Sequence, residues 1–152
     1  MKKLLVTSAV LLSLGGVAFA DSHTPFGMQI EARKGIMMYR ALQLGTLGAM
    51  AKGEVPYDAA AAQKAADNLM AVTNLDISML WPEGSDNASH PDTDALPALW
   101  TDPAVGEAGK AYYAAATALQ AAAGKDLDSL KAAMGPVGEG CGGCHKVARA
   151  AD

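Results

Sequence analysis

Between Pro25 and Lys52 the apolar positions recur at helical spacing. Ile30, Met37, Ala41, Leu44 and Gly48 form one stripe, and Arg33 lies on that stripe one turn before Met37. At roughly 1.5 Å per residue this predicts a first helix about 40 Å long, broken by Gly53-Glu54-Val55-Pro56. A second helix starts at the capping residue Asp58 and turns Ala62, Ala66, Leu69, Met70 and Val72 inward, with Trp81-Pro82 ending the pattern. Residues 82–101 carry three prolines and a glycine and read as a long connection, of the length usually reserved for function or for a crossover. Asp102 as cap and Pro103 at the first helical position open a third helix through Tyr112, Tyr113, Ala116 and Leu119, closed by Gly124-Lys125. Asp126 caps a fourth, in which Leu127, Leu130, Met134, Val137, Cys141, Cys144 and His145 lie near one face. Gly135-Pro136 and the glycines at 138, 140, 142 and 143 weaken its propensity, so a kinked but continuous helix is expected. Met38, Met50, Met70, Met79 and Met134 read as core, and so does Trp81. No β-type alternation occurs. The fold class is therefore all-α, an antiparallel four-helix bundle with a long loop between the second and third helices.

The amino terminus follows a different pattern. Met1-Lys2-Lys3 supplies positive charge, Leu4 to Val17 are mostly apolar, and Ala18-Phe19-Ala20 fits a small-x-small cleavage site. The run is shorter than the roughly 20 residues a bilayer requires. Residues 1–20 are thus expected to be a secretory signal peptide, leaving residues 21–152 as one domain in the periplasm. That domain has ten basic against sixteen acidic residues, a net charge of −6. Without a Lys/Arg cluster it is a poor partner for nucleic acid, which demands concentrated positive charge.

The two cysteines, Cys141 and Cys144, are the only ones in the chain. An exported chain with two cysteines would ordinarily form a disulfide. A bridge closing over Gly142 and Gly143 alone would stabilise little, because the benefit grows with loop length. With His145 next in line the stretch reads C-x-x-C-H, the attachment pattern of c-type haem: each thiol forms a thioether and the imidazole binds iron. A zinc site would need two more ligands, and His23 and His90 lie far off in sequence. A thioredoxin-like dithiol belongs after a strand. A local disulfide stays open but leaves His145 unexplained.

On these residues the chain resembles the cytochrome c′ family of monohaem c-type cytochromes. The likeness takes in the first-helix arginine, "AKGEVPYDAA", "LPALWTD", "LDSLKAAMGPVGEGCGGCH" and Arg149. The resemblance implies one haem c bound through Cys141 and Cys144, with His145 as proximal ligand and Arg149 beside its imidazole. It implies that Arg33 approaches the haem edge or a propionate and that Met37 faces the distal side of the iron. Two readings stay open there. With Met37 bound to iron, as in the low-spin relatives that "KGE-PYD" and "LKAAM-P-G--CG-CH" resemble more, the protein carries single electrons between redox partner proteins. With Met37 only covering the site, it is a five-coordinate haemoprotein that takes nitric oxide or carbon monoxide. Both readings are non-enzymatic; thiol–disulfide exchange is the enzymatic alternative. The resemblance leaves monomer and homodimer open.

Overall fold

The computed structural model describes residues 25–151; the expected signal peptide, the start at Asp21 and His23 lie outside the described residues. Five α-helices succeed one another: α1 Gly27–Lys52, α2 Ala59–Thr73, the single-turn α3 Ala98–Thr101, α4 Pro103–Ala122 and α5 Leu127–Ala148. The four long ones form the bundle, and among the described residues there is no strand, only an isolated antiparallel bridge between Ala95 and Arg149.

Helix boundaries follow local chemistry. Asp58, Asp102 and Asp126 sit at the N-caps of α2, α4 and α5 in extended conformation, each carboxylate accepting from the N–H of Ala61, Ala104 and Ser129 respectively. Gly53 ends α1 in the left-handed conformation at φ 75°, donating its N–H to the carbonyls of Ala49 and Met50. α5 runs unbroken through Pro136. Gly140 on this helix meets α4 directly: a β-carbon there would lie 2.7 Å from the Tyr112 Cα.

The core joins Leu47 and Met50 of α1, Ala62, Ala66 and Leu69 of α2, Leu119 of α4, Ala123 just beyond α4, and Leu130 and Val137 of α5. The Tyr57 hydroxyl donates to the Ala123 carbonyl at 2.8 Å and ties the α1–α2 turn to the end of α4. Two expectations about burial are corrected. Met38 and Met79 are 68% and 75% exposed rather than core, because Met38 lies on the outer face of α1 and Met79 on a short 3-10 turn at 78–80. Ala41 is exposed, while Leu47, one turn beyond Leu44, is fully buried.

The connection between α2 and α4 is ordered by its own buried polar groups. Ser85, Asp86, His90 and Thr93 are all buried. Phe26, the N-cap of α1, adopts a left-handed φ of 64°, uncommon for a bulky residue, and its ring meets that of His90 edge-on at 5.8 Å.

Candidate functional site

The site is assembled from α1, α4 and α5 towards the start of α1. On α5, Cys141 and Cys144 are half-buried free thiols and His145 follows, exposed over much of its surface. On an unbroken helix the spacing i, i+3, i+4 sets all three on one side. Burial pushes both thiols above their ordinary range, with the Arg40 guanidinium opposing that rise at Cys141. They are protonated at neutral pH, the reverse of the low-pKa thiolate that disulfide exchange needs. The flanking protein, and secondarily the charge of Arg149, lowers His145. Its imidazole is held neutral, the form that can donate a lone pair to a metal. Among the described residues, no group of three or more His, Cys, Asp or Glu side chains gathers to hold a metal ion by itself.

On α1, Met37 is half-buried and its Sδ lies 3.9 Å from Nη1 of Arg40, one turn on. The Arg40 guanidinium covers the ring of Tyr112 at 5.3 Å, and the Tyr112 hydroxyl lies 3.1 Å from the hydroxyl of Thr73 on α2. Arg40 Nε is buried with no hydrogen-bond partner. Such a donor costs about 1–3 kcal/mol unless something accepts from it. Arg40 thus contacts the Met37 thioether and the Tyr112 ring and lies near enough to Cys141 for its charge to act on that thiol. Haem, flat and largely apolar with an electron-rich face and two carboxylates, fits that donor set.

Arg33 is only 2% exposed, and its guanidinium serves the long connection. Nη1 donates to Ser85 Oγ at 2.7 Å and more weakly to the Leu80 carbonyl; Nη2 donates to the Ser85 carbonyl and to Thr93 Oγ1 at 2.7 Å. The same guanidinium stacks on Trp81 at 4.6 Å. Trp81, expected as core, is half-buried beneath this cation. Burial lowers the Arg33 pKa and the Asp86 carboxylate opposes that. Arg149 caps the C-terminus of α5, and its Nε lies 3.5 Å from Asp94 Oδ2. Sequence reasoning passed over Arg40 and Tyr112 as site residues. The signal for Arg40 was present, since positions 33, 37 and 40 share one helical face.

The family model for cytochrome c′ matches residues 28–149. The chain belongs to the cytochrome c′ family. It is 43% identical to cytochrome c-554 of Cereibacter sphaeroides over 136 residues, covering 89% of each chain. A solved cytochrome c′ from a Rhodobacter species superposes with a TM-score of 0.82 at 40% identity, over 85% of this chain and all of that one. The nitric oxide complex of a cytochrome c′ variant from Alcaligenes xylosoxidans superposes with a TM-score of 0.73 at 28% identity, over 85% of this chain and 98% of that one. The protein is a c-type cytochrome, and its cofactor is one covalently attached haem c, consistent with the paired cysteines. Among the described residues of this cytochrome, no helix is long and apolar enough to cross a membrane.

Proposed function

We propose that this protein is a periplasmic, non-enzymatic electron carrier in which Cys141 and Cys144 would hold the haem through thioethers, with His145 offering its iron an imidazole and Met37 a thioether. The observation that carries the reading is the meeting of Met37, Arg40 and Tyr112 beside Cys141. A thioether held by the arginine whose charge acts on the attachment thiol is a candidate sixth ligand. The haem supplies one-electron chemistry at its iron. The chain does the rest. His145 offers a neutral imidazole, with Arg149 disfavouring its protonation. Arg40 brings a half-buried positive charge whose Nε–H has no partner and is a donor for a haem carboxylate. The raised thiol pKa values speak against an exchange enzyme.

Gas binding is the second reading, favoured by the nitric oxide complex among the structural neighbours. It has Met37 sulfur engaged by Arg40 and merely covering the distal side. Absorption spectra of oxidised and reduced holoprotein with and without carbon monoxide decide between the two. Under the carrier reading the wild type is low-spin, and Met37→Leu becomes high-spin, loses reduction potential and binds carbon monoxide readily. A high-spin wild type whose spectrum and potential are unmoved by Met37→Leu would make gas binding the function.

A further inference from the structure

The two candidate axial residues sit on different helices, yet each has an arginine one turn away: Arg33 four residues before Met37, and Arg149 four residues after His145. Both arginines grip the same short stretch of the long connection, at consecutive residues. Arg33 Nη2 donates to Thr93 Oγ1 at 2.7 Å, and Arg149 pairs with the Asp94 carboxylate. The backbone closes the same junction. Ala150 N–H donates to the Asp94 carbonyl at 2.8 Å, Leu96 N–H to the Ala148 carbonyl at 2.9 Å, and Ala95 bridges Arg149. Thr93 Oγ1 also accepts from Ala95 N–H at 3.3 Å, so one hydroxyl joins the α1 branch to the α5 branch.

We infer that Thr93 is a positioning residue for the iron: through Arg33 on one side and the 94–96 backbone on the other, it fixes the placement of Met37 relative to His145. The inference rests on the haem reading above. A tight hydroxyl between a buried cation and a paired backbone leaves α1 little freedom to shift against the end of α5, because both partners would lose buried hydrogen bonds. Ile30, at 2% exposure, the ring contact of Phe26 with His90 and the other bonds of Arg33 hold the start of α1 to the same connection, and among these only the Thr93 hydroxyl is shared with the backbone that meets the end of α5.

The test uses holoprotein carrying Thr93→Val, which keeps shape and removes the acceptor, and Thr93→Ser, which restores it. Thr93→Val should raise the carbon monoxide association rate about tenfold, equivalent to roughly 1.4 kcal/mol, and Thr93→Ser should return it to within about twofold of wild type. Ser85→Ala, which removes one acceptor of Arg33 and is a milder change, should move the rate in the same direction by less. In a Met37→Leu background the effect of Thr93→Val should vanish, because the tether acts through the side chain at 37. An unchanged rate in both Thr93→Val and Ser85→Ala, with a lowered melting temperature, would reduce the junction to plain structure and overturn the inference. So would an equal rate change in the Met37→Leu background. Failure of the haem reading is separate: it appears as an intact mass without haem in the wild type.

Discussion

The two ends of the bundle are made by the same helices and solve different problems. Where α1 ends and α5 begins, Leu47, Leu119, Ala123 and Leu130 are all at 0% exposure, and the chain excludes water with its own side chains. Where α1 begins and α5 ends, Met37, Arg40, Tyr112, Cys141 and Cys144 are only half-buried, and one buried guanidinium N–H has no acceptor. The first end is a core whose worth is measured in stability. The second spends polar and sulfur groups where a core would have leucines, and its worth is measured in what it binds.

The contrast is broken most severely by removing both thiols. Cys141→Ala with Cys144→Ala should give colourless protein whose intact mass shows no attached haem, while either single variant retains at most one thioether. At the opposite end, Leu130→Ala should destabilise the fold by about 3 kcal/mol, as large-to-small changes in filled cores do. Denaturant unfolding reads this, and the haem spectrum of the folded fraction should not move. A change of spin state in Leu130→Ala would show that the ends are not separable.

Arg40→Met is expected to act oppositely on the two measures. It removes a buried N–H that has no partner, so haem-free protein should lose little stability or gain some. It also removes a positive charge beside Met37, so the reduction potential of the holoprotein should fall, because a nearby cation favours the less positive ferrous iron.

The smallest expected effect is at Asp126. The N–H and then the hydroxyl of Ser129 hold its carboxylate below the ordinary range. A depressed folded pKa contributes stability above the unfolded pKa and loses it as pH falls through the folded one. Asp126→Ala should therefore lower the melting temperature slightly at neutral pH and make no difference once the pH is below the folded pKa. Thermal melts across the acid range check this.

What could be read in the sequence was local. Asp58, Asp102 and Asp126 announce helix starts because a cap acts over three residues, and C-x-x-C-H announces its cofactor because the chemistry is contained in five. The fourth helix was legible despite its glycines because its apolar period persists from Leu127 to Cys144. Burial on α1 was less so: Ala41 and Leu47 both fit an apolar period, and only packing against α2, α4 and α5 chooses between them. The loop was the least legible part. Arg33 finds Ser85 and Thr93 across separations of 52 and 60 residues, and nothing in a polar, proline-rich stretch says which arginine will organise it. Tyr112 was hidden for the same reason: Arg40 could be placed on the face of Arg33 and Met37, but that its side chain reaches a ring on α4 could not be read from either segment.

Gly140 has a consequence for the cysteine beside it. A helix rotates by about 100° per residue, so a slip of one position would press Glu139 or Cys141 against the Tyr112 backbone, where even a β-carbon has only 2.7 Å. Gly138 and Gly142 meet nothing within 4 Å of such a carbon, so they carry no comparable constraint. One residue of the glycine run thus works as a keyway, fixing the azimuth at which α5 presents its sulfurs even though the helix around it is intrinsically weak.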